Sequence, residues 1–158
     1  MTAPPHRPRD DARDVAALIG REPFTRFKVA VRCPHGGPAV VENDPIDLHG
    51  RPFPTRYWLA CRALHEAVSR IESTGAIREL DADAVMTPHV EAANRHHARL
   101  HDGARIAGSG DPRRAKCLHA HVAFGLATGG GPVLEWIGRR ADLTWPATCC
   151  LDRVGDGA

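Results

Sequence analysis

The stretch Lys116-Cys117-Leu118-His119-Ala120-His121 sets a thiol and two imidazoles side by side, next to one of the chain's two lysines. Thiolate and neutral imidazole both suit zinc, and four thiolates can also hold an iron–sulfur cluster. The remaining cysteines are Cys33, Cys61 and the adjacent pair Cys149 and Cys150. No two cysteines stand in C-x-x-C spacing, so a metal site has to be assembled from distant parts of the chain. The expected ligand set is Cys117 with His119 or His121, joined by Cys33 and Cys61, with zinc as the ion. Neighbouring Cys149 and Cys150 make poor joint ligands, and their role is left open.

Helical geometry separates the two histidines. Asp111 has the chemistry of an N-cap and Pro112 that of a first helical residue, so a helix is predicted from there to about Ala127. Successive residues then step by about 100°, which puts Cys117 and His121 on one face and His119 about 160° away from Cys117. His121 can join Cys117 from a regular helix. His119 can do so only if the helix starts later.

Two other chemistries share this region. Cys117 is a candidate nucleophile, since Lys116 or a nearby histidine favours the thiolate. Gly108-Ser109-Gly110 before the predicted helix start, followed by Arg113, Arg114 and Lys116, is a candidate phosphate or carboxylate site. It lacks the G-x-x-x-x-G-K-[ST] and G-x-G-x-x-G patterns, and Asp111 opposes an anion there. His96, His97 and His101 lie close together, but solvated histidines explain them as well as ligation does.

The elements that must position these groups read as α+β: a small hairpin or sheet against three to four helices. Asp10 to Gly20 reads as a helix, with Val15, Leu18 and Ile19 as its apolar stripe. Arg26 to Cys33 alternates as a half-buried strand, with Phe27, Val29, Val31 and Cys33 facing one way. Gly36-Gly37 offers a tight turn, and Pro38 to Glu42 returns as a second strand. Asn43 to Pro54 reads as a loop, and Thr55 to Thr74 as a helix with Tyr57, Cys61, Leu64, Val68 and Ile71 in its stripe. Asp81 to Asp102 is a weaker helical stretch interrupted at Pro88. Val133 to Gly138 is a short helix or strand. The expected organisation is a disordered lead-in over 1–9, one domain over 10–150 and a frayed tail over 151–158.

Composition fits one ordinary globular domain: 158 residues, 42% hydrophobic and 25% charged. A net charge of +2 does not argue for nucleic acid. Only Lys28 and Lys116 are lysines, so arginine dominates the basic residues, and it is spread along the chain. No run approaches the roughly 18 apolar residues of a membrane span. Nothing near Met1 resembles a secretory signal, so a cytoplasmic, reducing setting with free thiols is expected.

Three blocks carry a family resemblance: Arg32-Cys33-Pro34-His35-Gly36-Gly37-Pro38-Ala39-Val40-Val41, then Gly50-Arg51-Pro52-Phe53-Pro54-Thr55-Arg56-Tyr57-Trp58-Leu59-Ala60-Cys61, then Lys116-Cys117-Leu118-His119. Ser69-Arg70-Ile71-Glu72-Ser73-Thr74-Gly75 follows the same pattern. Over about residues 13 to 150 the chain resembles the bacterial family called domain of unknown function 501, and its arginine-rich composition is similar to actinobacterial members. The resemblance favours His119 over His121 as the partner of Cys117, and it supplies no catalytic residues. It departs at Ala93-Asn94 and Phe124, where relatives carry histidine.

Three functional expectations follow. The first is a protein with a Cys/His-lined zinc site. The second is an enzyme acting on a small phosphorylated or acyl substrate through the Gly108–Lys116 loop and Cys117. The third is a non-catalytic protein partner in cell division or envelope processes, since some relatives carry names linked to septum formation.

Overall fold

Asp10 starts the first helix by accepting the Arg13 amide at 3.1 Å on its side chain. The computed structural model describes residues 9–154, so the expected lead-in lies almost wholly outside the described residues. Helix α1 spans Asp11–Ile19, buries Val15 and Leu18, and ends at Gly20 with a left-handed φ of 77°. Strands β1 (Thr25–Arg32), β2 (Pro38–Asp47) and β3 (Tyr57–Leu59) then form one antiparallel sheet in the order β1-β2-β3. Gly36 takes the positive φ of the β1–β2 turn, and the Cys33 amide closes that turn on the Gly37 carbonyl at 2.9 Å.

Two sequence expectations change here. The return strand continues to Asp47 instead of stopping at Glu42, because the Asn43 amide donates to Arg56 O and Leu48 N–H to Phe24 O. Tyr57–Leu59 is a strand, not the first turn of a helix. Leu59, Trp58 and Tyr57 pair with Val40, Val41 and Glu42, so the free edge of β2 outweighs a helical spacing that runs through Tyr57 and Cys61. Helix α2 therefore begins late, at Arg62–Ser73, with Cys61 extended at its N-cap.

Gly75, at φ 95°, separates α2 from α3 (Ala76–Ala82). Helix α4 (Thr87–Leu100) follows, with Pro88 in its first turn, where the missing amide costs nothing. The stretch expected as one interrupted helix over 81–102 is thus two helices, the first starting before Asp81. After a single 3-10 turn at Ile106–Gly108 come α5 (Leu118–Ala127), α6 (Pro132–Gly138) and α7 (Leu151–Val154). The expected tail starts with this last helical turn, and its remainder, 155–158, lies outside the described residues.

Helix α5 is the centre of the core. Leu118, Ala120, His121, Val122, Ala123, Phe124 and Gly125 are all buried, and it packs on the three strands, α2 and α6. It is apolar on every side, as a fully enclosed helix is. The chain is a single α+β domain, and no helix among the described residues is long and apolar enough to cross a membrane.

Candidate metal centre

Helix α2 places His65, Ser69 and Glu72 along one face at spacings of four and three. That face meets the start of α5. The Glu72 carboxylate is divided between two tasks: Oε1 accepts the Leu118 amide at 2.6 Å, and Oε2 lies 3.0 Å from Nδ1 of His119. The Cys117 sulfur stands 3.8 Å from the same Nδ1. One ligand atom each from Glu72, Cys117 and His119 lies within 4.8 Å of the others, and among the described residues no other three such side chains come this close.

This convergence depends on α5 starting at Leu118 and not at Pro112. The segment before it is pinned from outside by three side chains. Asn94 Nδ2 donates to Pro112 O at 2.8 Å, the Ala115 amide donates to Asp81 Oδ1 at 2.9 Å, and Glu72 takes the Leu118 amide. The amides at 115 and 118 are satisfied by carboxylates of α3 and α2, so they do not need a preceding helical turn. Cys117 is extended at the N-cap (φ −151°, ψ 118°), which is the break that His119 required.

The opposite edge of His119 is held as well. Nε2 is 2.9 Å from Ser69 Oγ and 3.1 Å from the His65 carbonyl, and the His65 ring stacks on it with centroids 4.1 Å apart. Burial and the nearby His119 push the His65 imidazole below its ordinary range. Burial pushes the Cys117 thiol up, and the Glu72 charge acts the same way, while the Ala120 and His119 amides and Lys116 oppose them. A divalent cation held by Glu72, Cys117 and His119 would reverse this balance and favour the thiolate. With Nδ1 engaged, Nε2–H is left to donate to Ser69 and the His65 carbonyl, the usual orientation of a metal-bound histidine.

The other residues expected at this centre sit elsewhere. Cys33 ends the β1 strand region, Cys61 caps α2, and neither joins a three-ligand group with Cys117. His121 points into the interior, wholly buried, with neither ring nitrogen bonded and its imidazole pushed down to about 4 by burial. The helix start assumed for the anion site does not exist. Arg113, Arg114 and Lys116 are exposed, the Asp111 carboxylate faces the first two at 3.7 Å, and Ser109 Oγ is spent on the Asp111 and Arg114 carbonyls. His97 and His101 are not solvated but buried, bonded to Ala104 O and Phe53 O at 2.7 and 2.6 Å. Reading for ligands by residue type missed Glu72, Ser69 and His65. Their common helical face at spacings of four and three, with Ser69 and Glu72 inside the Ser69–Gly75 block, was the available signal.

Residues 29–105 match the family described as protein of unknown function DUF501. This match bears out the resemblance to that family over just under half of the chain. The DUF501 match covers less than the span of 13 to 150 read from the sequence. It takes in Cys33, Cys61, His65, Ser69 and Glu72, and ends before Cys117 and His119. No curated protein and no solved structure matches the chain.

Proposed function

We propose that this protein binds zinc through Glu72, Cys117 and His119 and works in a reducing compartment such as the cytoplasm. The observation that carries this is the meeting of those three ligand atoms within 4.8 Å, with the far nitrogen of His119 held by Ser69 and the His65 carbonyl. Carboxylate and thiolate together balance the charge of a divalent ion. Three protein ligands leave a fourth position for water or a substrate atom, the pattern of zinc sites that do chemistry rather than of closed structural ones. Zinc supplies Lewis acidity at such a position.

The nucleophile reading has less support, because burial and the Glu72 charge both hold Cys117 in its protonated form. Elemental analysis of untagged protein tests the zinc assignment. Cys117→Ser and His119→Ala should each lower zinc content by one equivalent per chain. Content unchanged by both substitutions rules the centre out.

A further inference from the structure

We propose that Cys33, Cys61, Cys149 and Cys150 form a second, separate site, in which four thiolates bind one zinc ion and tie the C-terminal segment to the sheet and to α2. Four of the chain's five cysteines line a single pocket, closed on other sides by Leu18, Gly37 and Pro38. They arrive from three distant regions: the end of β1, the N-cap of α2 and the turn before α7.

Adjacent cysteines are poor ligands when they project together from one element. Here they diverge onto different partners. Cys150 Sγ lies 3.9 Å from Cys61 Sγ, while Cys149 and Cys33 both direct their sulfurs at Gly37. Four thiolates tetrahedrally disposed at about 2.3 Å from zinc stand about 3.8 Å from one another. The Cys61–Cys150 pair already has that separation. No three of the four sulfurs lie mutually within 4.8 Å, so the second pair has to draw in toward the first as the ion binds.

Gly37 supplies an independent sign. Its φ is not positive, so the backbone does not call for glycine there. A Cβ on Gly37 would stand 2.6 Å from Cys149 Sγ and 3.5 Å from Cys33 Sγ. Glycine at this position makes room for the sulfur pair.

The surroundings suit thiolates once a cation is present and disfavour them without one. Burial pushes the Cys61 thiol up to about 11, and burial likewise raises Cys149. The backbone amides of Leu64 and Ala63, in the first turn of α2, oppose that rise at Cys61, and the Leu151 amide opposes it at Cys149. Such donors stabilise a metal-bound sulfur. The pocket has room for little more than a water-sized occupant, which fits one ion and not a multi-atom cluster. On binding, four S–H bonds are lost, four Zn–S bonds form, and four protons pass to solvent.

Cobalt(II) titration of the full-length Cys117→Ser/His119→Ala variant separates this site from the proposed centre at Glu72. One equivalent of cobalt should bind, with the visible bands of a tetrahedral ion and strong sulfur-to-cobalt charge transfer. Adding Cys61→Ser should weaken binding at least tenfold and reduce the charge-transfer intensity. Failure of the Cys117/His119 background to take up cobalt overturns the proposal, as does a spectrum indifferent to Cys61→Ser. Alkylation mapping of the unmodified chain covers the case in which a variant does not fold. Cys33, Cys61, Cys149 and Cys150 should be protected with zinc and become reactive after chelation. Equal reactivity in both states overturns the proposal, and so does a disulfide among the four or an iron–sulfur chromophore in the purified protein.

Discussion

Glu72 holds His119 through Oε2, 3.0 Å from Nδ1, while its Oε1 accepts the Leu118 amide at 2.6 Å. A single carboxylate therefore sets where α5 begins and also stands at the candidate centre. The two roles are linked. Only with α5 starting at Leu118 is Cys117 extended, and only then can its sulfur share Nδ1 of His119 with Glu72. The negative charge is also well placed against the positive end of the helix dipole.

Substitutions at Glu72 should separate these roles. Glu72→Gln keeps an oxygen for the Leu118 amide, and stability should fall by less than about 1 kcal/mol. Glu72→Ala leaves that amide without its acceptor and should cost about 1–3 kcal/mol. Both should lose zinc from this centre. Urea denaturation of zinc-free protein, together with metal analysis, checks the pattern; equal stability of the two variants would contradict the structural role.

His121→Leu distinguishes the two histidines directly. Both ring nitrogens of His121 are buried without a hydrogen-bond partner, an arrangement that costs about 1–3 kcal/mol against an apolar side chain. The variant should be as stable as the parent or more so, and zinc content should not change. Loss of an equivalent of zinc would return His121 to the ligand set in place of His119.

Much of the framework is legible in the sequence, because its signals are local. The alternation from Phe27 to Cys33, the Asp10 cap and the glycines at 20, 36 and 75 all act within a few residues of where they sit. The misread elements are those on which distant partners act. Asp111-Pro112 has a good helix-start signature, yet Asn94, Asp81 and Glu72 bind the segment in another form. Tyr57 has helical spacing, yet β2 claims it. Glu72 was passed over for a similar reason: on α2 alone it is one more acidic residue on a polar face, and only the packing of α5 gives it partners. His97 and His101 looked solvated because nothing near them in sequence announces Phe53 or the Arg56 amide.

His97 should make the fold acid-sensitive. Burial, opposed by the Ala104 carbonyl and assisted by His101, Arg56 and His96, pushes its imidazole from 6.5 down to about 4. Nε2 accepts the Arg56 amide at 3.3 Å, and a proton there removes that acceptor. Above pH 6.5 both folded and unfolded chains carry a neutral ring. As pH falls from 6.5 to 4 the unfolded chain takes up the proton first, so stability is lost across that window, by roughly 3 kcal/mol at its lower end. Urea midpoints at pH 7 and pH 4.5 check this. His97→Gln should reduce the difference without abolishing it, because the buried His121 is held down to about 4 as well and His101 is lowered too; an unchanged pH slope in that variant would locate the sensitivity in those two rings.

The approach of α6 to α5 depends on Gly125. A Cβ there would stand 2.9 Å from the Leu134 Cβ, an atom fixed to the α6 backbone and unable to swing away. Alanine gains about 1 kcal/mol in helix propensity over glycine. Overpacking a close helix contact costs about 1–3 kcal/mol. The second effect should win, so Gly125→Ala is expected to destabilise the chain by about 1 kcal/mol, measured by thermal denaturation. Gly110→Ala is the control: a Cβ at Gly110 meets nothing within 4 Å and its φ is not positive, so its effect should stay within about 0.5 kcal/mol. If Gly125→Ala were stabilising, the helices would have room to separate, and the tight α5–α6 contact would not be a constraint on the core.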